Sequence, residues 1–416
     1  ASRVNSSGLV EMVGRTLGSN LVQNGDFSEI GPDLVQNGTF NLGSELVTNG
    51  DFATDSDWVK GGGATISDGQ ANINGDGSTY VFINQSNVFT NQGATYKVTA
   101  DVVITSGLGL KFQDGVTNEN IGAATTTGSY TFYFTAGSNS TLVIARRTGG
   151  TAFESSVTNV SVKEVPDWTL GGAATIENDA LHLESATNEY SYARQDISSL
   201  AAKTYKIQLE IKNYVSGACQ VGFTGSSPNL QNLNVTSDGT YTAYVSPNAN
   251  GNNLEISREF GGGNFNFDVD NVVVQELDPN DYWTIQNNTG TDTEITSGNL
   301  RIETDGAYTQ VSQSSVLVAA NQYKLIYTIL SSDNGDLGLV TEGNVTVSIP
   351  SSVGTHTYYF TAHSTSFVLK RRGGVLNVTI DNISVKEVID TNNIPRINYD
   401  SNGENGHWLL EPTSTN

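Results

Sequence analysis

The feature that most constrains this chain is an internal repeat with a period of about 111 residues. The segment Asn159-Val-Ser-Val-Lys-Glu-Val165 returns as Asn382-Ile-Ser-Val-Lys-Glu-Val388, and a more divergent copy begins at Asn271. Solenoid repeats run only roughly 20 to 50 residues, whereas about 110 residues is enough for a domain with its own core. The sequence therefore predicts three homologous domains, each opened by a tryptophan: Trp58, Trp168 and Trp283.

Each unit is filled by short runs of Val, Ile, Thr, Tyr and Phe, separated by turn residues such as Asn-Gly and Asp-Gly. Such residues favour strands, and turns every roughly 8 to 12 residues are typical of an antiparallel sandwich. The predicted fold class is all-β, with three tandem antiparallel β-sandwich domains of jelly-roll, galactose-binding-like topology. The predicted sandwiches cover residues 46–165, 166–278 and 279–390, and the remaining segments are 1–20, 21–45 and 391–416.

Charge and composition exclude several classes of function. The chain carries 43 acidic and 20 basic residues, for a net charge of −23, which repels nucleic acid and anionic membranes. We therefore expect no nucleic-acid partner and no membrane insertion. Cys219 is the single cysteine, which excludes an intramolecular disulfide framework. No catalytic constellation is present, so we expect a non-enzymatic protein without a cofactor. Because the sequence begins at Ala1 without a methionine, we expect a processed or excerpted part of a longer protein.

A second, shorter repetition precedes the sandwiches. Three copies of Leu-Val-x-Asn-Gly-x-Phe begin at residues 21, 34 and 46 and end at Phe27, Phe40 and Phe52. One interpretation is duplication by slippage, which leaves two copies redundant. The other is strand donation, in which each copy closes an exposed edge of one sandwich or of a neighbouring subunit. Donation predicts that Phe27 and Phe40 are neither exposed nor both packed against the first sandwich.

Two resemblances connect these motifs to known families. The Asn-Gly-Asp-Phe strand, the tryptophan after it and the closing segment Asp381-Asn-Ile-Ser-Val385 resemble the jelly-roll carbohydrate-binding modules that accompany xylanases and cellulases, over residues 46–388. Segments 3–11, 393–399 and 409–412 resemble a frame seen in phage tail and virion structural proteins. In such proteins the frame usually leads into a laminin-G or concanavalin-like lectin domain. The resemblance implies sandwiches inserted into a phage structural frame.

Candidate binding residues recur at equivalent positions in the three units. In each unit an arginine ends a strand and lies two and four residues after apolar residues. Alternation along the strand places it on the same, core-facing side, where an unpaired charge is costly. It is expected to form a structural ion pair, for instance with Asp51 or Asp381, or to bind a glycan carboxylate or sulfate. Tyrosine and glutamine also recur five residues apart, so only one of each pair can face a ligand surface. These weak candidates are Arg146, Arg258, Arg371, Tyr80, Tyr190, Tyr308, Gln85, Gln195 and Gln313. The repeated tryptophans are better explained as structural covers of the sandwich ends.

A structural calcium ion is one further alternative, because modules of the resembling type often carry one. Calcium binds carboxylate and carbonyl oxygens, and the aspartates to inspect are Asp26, Asp51, Asp270 and Asp381. No sequence ladder of a calcium-binding loop is present.

These observations predict a virion or extracellular structural protein, as a tail, fibre or capsid-surface component of a phage. Its expected partners are other virion proteins or copies of itself, and host-surface glycans bound weakly at repeated sites. Two alternatives remain. One is a secreted bacterial carbohydrate-binding array, and the other is an extracellular filament whose subunits are joined by strand donation.

Overall fold

The computed structural model describes residues 2–4, 10–12, 16–115, 120–147, 150–185, 187, 189–201, 203–225, 228–259, 263–287, 291–389, 396–398 and 407–409. Parts of the two predicted frame segments, including 5–9, 391–395 and 410–412, lie outside these residues. The chain forms two compact units, one of residues 1–32 with 276–416 and the other of residues 33–275. No helix in the described ranges is long and apolar enough to span a membrane.

Four short strands form the N-terminal region: β1 (Ser2–Val4), β2 (Val10–Met12), β3 (Thr16–Asn20) and β4 (Ile30–Asp33). β1 pairs with β2 in a two-stranded antiparallel sheet.

Sandwich 1 consists of two five-stranded antiparallel sheets. Their orders are β11-β10-β13-β8-β5 and β12-β9-β14-β7-β6, so the chain crosses repeatedly between sheets, as in a jelly roll. Inward residues alternate with outward ones along β9, which places a core between the sheets. The strands are β5 (Val59–Gly61), β6 (Thr65–Ser67), β7 (Gln70–Gly75), β8 (Phe82–Gln85), β9 (Thr95–Ser106), β10 (Leu110–Asp114), β11 (Asn120–Ala124), β12 (Gly128–Thr135), β13 (Leu142–Arg146) and β14 (Phe153–Val165).

Sandwich 2 repeats this arrangement around its own core. Its sheets have the orders β15-β18-β23-β20-β21 and β16-β17-β24-β19-β22, and β4 also pairs with β24. The strands are β15 (Thr169–Gly171), β16 (Ala174–Glu177), β17 (Ala180–Ser185), β18 (Tyr192–Gln195), β19 (Tyr205–Ser216), β20 (Cys219–Thr224), β21 (Asn229–Asn232), β22 (Gly239–Val245), β23 (Asn253–Arg258) and β24 (Phe265–Leu277).

Sandwich 3 differs in having two long strands that pass from one sheet into the other, so that its strands join into one sheet system. The strands are β25 (Thr284–Asn287), β26 (Glu294–Thr296), β27 (Asn299–Thr304), β28 (Thr309–Gln313), β29 (Gln322–Thr341), β30 (Val345–Ser348), β31 (Gly354–Thr361) and β32 (Phe367–Ile389), with a 3-10 turn at Glu342–Asn344. The predicted all-β class with antiparallel jelly-roll sandwiches is confirmed.

The C-terminal segment forms the last two strands, β33 (Arg396–Asn398) and β34 (His407–Leu409), which pair with each other. β1 lies against β33. The two segments predicted to form a frame are therefore neighbours, although most of the chain separates them in sequence.

Candidate functional site

Each Asn-Gly segment forms the same four-residue turn. The N–H of Phe27 donates to the carbonyl of Asn24 at 3.2 Å, and the equivalent bonds close the turns at Phe40 and Phe52. All three phenylalanines have φ between 50° and 53°, which a bulky side chain rarely adopts and which costs about 1–2 kcal/mol. Each ring is only 1% exposed, so contacts of the buried ring must offset this strain.

The three segments contact three different sandwiches, in reverse order along the chain. Phe52 packs on Trp58 of sandwich 1, with ring centroids 5.2 Å apart. Phe40 packs on Trp168 of sandwich 2 at 4.8 Å. Phe27 packs on Trp283 of sandwich 3 at 5.3 Å. Each tryptophan indole N–H also donates to the turn asparagine carbonyl, with distances of 3.1, 2.9 and 2.9 Å to Asn49, Asn37 and Asn24.

We call residues 16–52 the strap. Each sandwich includes one strap segment, so the contiguous ranges 166–278 and 279–390 describe only the later part of sandwiches 2 and 3. Residues 16–20, assigned by the sequence to the frame, pair as β3 with β32 of sandwich 3. All three phenylalanines are buried within their own chain. The structure thus shows donation of these segments within one molecule.

The long repeat and the Asn-Gly segments contact each other wherever a strap segment packs on its sandwich. Asn159, the first residue of the long repeat, has a φ of 50° and interrupts the pairing of β14 with β9. Directly after it, the N–H of Val160 donates to the carbonyl of Gly50 at 2.9 Å. A Cβ on Gly50 would lie 1.9 Å from the Val160 carbonyl oxygen, so only glycine fits here. The same crossing recurs at Gly38 and Gly25.

The three glutamines predicted as ligand contacts form hydrogen bonds with the backbone of the strap. The amide of Gln195 accepts the N–H of Gln36 and donates to its carbonyl, each at 2.8 Å. Gln85 binds Thr48 and Gln313 binds Gln23 in the same two-bond manner. All three glutamines are buried, and Gln313 also lines the cleft described below.

The repeated arginines bind backbone carbonyls. Arg146 donates to Gly77 at 2.8 Å, and Arg371 to Gly374 at 3.1 Å. Arg258 donates to Glu189 and Glu259 at 2.7 and 2.9 Å and is 2% exposed. These bonds to backbone carbonyls fit the expected structural role of the arginines. A glycan-binding role for them stays a prediction.

The three repeated tyrosines bond within their own sandwiches, each to a different partner. The hydroxyl of Tyr80 donates to Gln113 at 3.1 Å, that of Tyr190 to Glu255, and that of Tyr308 to Gln310. Tyr80 is 42% exposed. Contact of these tyrosines with a ligand stays a prediction.

The four aspartates proposed for calcium have other partners. Asp26 and Asp51 accept the backbone N–H two residues ahead, Asp381 accepts the N–H of Asn382, and Asp270 pairs with Lys212 at 2.6 Å. In the described part of the chain, no three His, Cys, Asp or Glu side chains are grouped closely enough to hold a metal ion.

A cleft of about 630 Å³ lies where the strap meets sandwich 3. Ser19, Asn20 and Gln23 line it from the strap, and Asp281 and Tyr282 line it from the sandwich. Amides, hydroxyls, a carboxylate and one aromatic ring therefore face one opening. The sequence could not indicate this cleft, because its two walls are far apart along the chain.

No protein-family model matches the sequence, and no curated protein matches it significantly. The N-terminal CBM22-1-CBM22-2 tandem domain from Paenibacillus barcinonensis Xyn10C is similar at 14% identity and a TM-score of 0.28, covering 56% of this chain and 98% of that one. The triple jelly roll of an archaeal virus turret assembly gives 13% identity and a TM-score of 0.21, covering 80% and 89%. A structure of Sulfolobus Turreted Icosahedral Virus gives 14% and 0.23, covering 80% and 90%.

With TM-scores this low, the fold described above rests on the strands and cores of the chain itself.

Proposed function

We propose that this chain is a non-enzymatic structural protein of a phage virion, exposed outside the cell as a tail, fibre or capsid-surface component. The observation that carries the proposal is the contact of β1 with β33, which brings the two frame segments together. Because the frame segments are adjacent, one attachment point can hold both ends of the chain. The three sandwiches then form a single insertion that projects from that point.

The path of the strap supports this role. From the N-terminal frame segment the chain meets sandwich 3 first, then sandwich 2, and then enters sandwich 1. From the C-terminal frame segment it also meets sandwich 3 first and sandwich 1 last. Sandwich 1 is thus the most remote from both ends along the chain.

Imaging of particles that carry this chain tests the proposal. One antibody fragment is raised against sandwich 1 and a second against sandwich 3, and each is bound to intact particles before electron microscopy. We expect both fragments to decorate intact particles, because the proposal places the sandwiches outside the particle. Failure of both fragments to bind particles contradicts the proposal.

Adhesion to host-surface glycans is a second proposed function, supported by the cleft between the strap and sandwich 3. Its volume suits a small ligand, and sugars are bound by one stacked aromatic ring with amide and carboxylate groups on the hydroxyls. Tyr282 supplies the ring, while Gln23 and Asp281 supply the polar groups.

A glycan array probed with the full chain tests this second function. We expect Tyr282→Ala to weaken glycan binding by about tenfold, because the stacking surface is lost. Tyr80→Ala is the matched control, since Tyr80 lies in sandwich 1 and is also partly exposed. Equal binding by the wild type and the Tyr282 variant, or loss of binding only with Tyr80→Ala, would overturn the assignment of the cleft.

A further inference from the structure

Within the unit of residues 33–275, two side chains of sandwich 1 bind the backbone of one residue of sandwich 2. The hydroxyl of Tyr133 accepts the N–H of Ile176 at 2.7 Å and donates to its carbonyl at 2.8 Å. Lys97 donates to the same carbonyl at 2.7 Å. Tyr133 and Lys97 of sandwich 1 therefore provide hydrogen-bond partners for the N–H and the carbonyl of Ile176 in sandwich 2.

The register explains why Ile176 is available. Glu177 and Ala180 close a two-residue turn in which Asn178 and Asp179 have φ of 49° and 56°. In such hairpins the closing pair is hydrogen-bonded and the next pair is not, so the N–H and carbonyl of Ile176 point away from β17. Since β16 is the last strand of its sheet, these groups face outward.

Charge and burial show that the contact is close. Burial lowers the pKa of Lys97, and attraction to Glu177 opposes this shift. Burial also raises the pKa of Tyr133. The contact therefore pairs a partly desolvated cation with an acidic strand end.

The lysine and tyrosine that make this contact have equivalents in sandwich 3. Lys324 lies opposite Tyr359 on β29 and β31, as Lys97 lies opposite Tyr133 on β9 and β12. Tyr359 is 59% exposed, so its ring is open to a partner. Lys386 lies opposite Lys324 on β32, as Lys163 lies opposite Lys97 on β14.

The outward-facing backbone groups of Ile176 have an equivalent in sandwich 1. Ser67 and Gln70 close a turn in which Asp68 and Gly69 have φ of 54° and 73°. The same register argument directs the N–H and carbonyl of Ile66 outward from β6, the last strand of its sheet. Ser67, which is exposed, stands where the occupied edge of sandwich 2 has Glu177.

We propose that Lys324 and Tyr359 of one molecule bind the outward backbone edge at Ile66 of a second copy, in a head-to-tail contact. The two surfaces differ, so the contact is heterologous and produces open chains or closed rings. The contact is small, so the association is weak in dilute solution and favoured where many copies are held together. This inference is independent of the proposed virion role, because it concerns only contacts between copies of the chain.

Sedimentation velocity of the full chain over a wide concentration range tests the tyrosine. We expect reversible association in the wild type, weakened about tenfold by Tyr359→Phe, because the hydroxyl that makes both backbone bonds is removed. Tyr358→Phe is the matched control, since successive residues of a strand face opposite sides. A concentration-independent monomer, or equal effects of the two substitutions, overturns the proposal.

Charge exchange tests the partner edge. Ser67→Glu restores the acid found at the occupied edge and should strengthen association severalfold, while Ser67→Lys should weaken it. Lys324→Glu alone should also weaken association, and mixing Lys324→Glu with Ser67→Lys molecules should restore association in alternating order. If Tyr359→Phe weakens association but no Ser67 substitution does, the partner surface is not the Ile66 edge and the proposal fails.

Discussion

Substitution of Gly25 by alanine is expected to destabilise sandwich 3 by about 3 kcal/mol or more. The added Cβ would lie 2.1 Å from the carbonyl oxygen of Ile383, and backbone on both sides cannot move aside. The strap segment that contains Gly25 must then move away from sandwich 3. This exposes Phe27 and removes the carbonyl partner of the Trp283 indole. The measurement is hydrogen exchange by mass spectrometry on peptides from residues 278–389, where protection should fall.

Gly18→Ala is the control for this prediction. Gly18 lies in the same strap, but its added Cβ would meet only ordinary contacts, the nearest at 3.7 Å from Glu387. Exchange in sandwich 3 should therefore be nearly unchanged. Similar losses of protection in the two variants would show that the strap is sensitive to any substitution, and that the close crossing at Gly25 is not the cause.

Phe40→Ala is expected to destabilise sandwich 2 by about 3–5 kcal/mol, although Phe40 lies outside the contiguous range of that sandwich. The ring is 1% exposed and packs on Trp168, so its removal leaves a cavity beside the indole. Peptides from residues 166–277 should lose protection from hydrogen exchange, while peptides from residues 278–389 should not.

Phe52→Ala is the matched comparison, because Phe52 makes the equivalent contact with Trp58 in sandwich 1. It should lower protection in residues 53–165 and leave the Trp168 region protected. The reverse-order docking requires these two patterns to differ. If both substitutions destabilise sandwich 1 alone, the second strap segment does not belong to sandwich 2.

The sequence was sufficient for the class of fold, because strand patterning is local. The period-two alternation of β9 and the turn residues between strands arise from neighbouring positions. The match between three short N-terminal strands and three sandwiches also makes strand donation a definite hypothesis. The sequence does not predict which segment packs on which sandwich, since the three Asn-Gly segments are nearly identical. Chain connectivity explains the order: Phe52 is only six residues from Trp58, so that loop is the least costly to close.

The site residues were predictable in position but not in role. Period two correctly placed Arg258 on the core side of its strand, yet its partners are carbonyls of Glu189 and Glu259, which carry no motif. Likewise Gln195 recurs at a fixed spacing, but its partner Gln36 lies far away in sequence. Partners of this kind become visible only when distant segments are brought together.

The strap also has a mechanical consequence. The boundary between the two compact units is crossed twice by the chain, once between Pro32 and Asp33 and once between Gln275 and Glu276. A force that pulls the two units apart is therefore shared by two covalent tethers in parallel. A protease that cuts one of these crossings leaves the units joined by the other, so a single nick does not separate the two units.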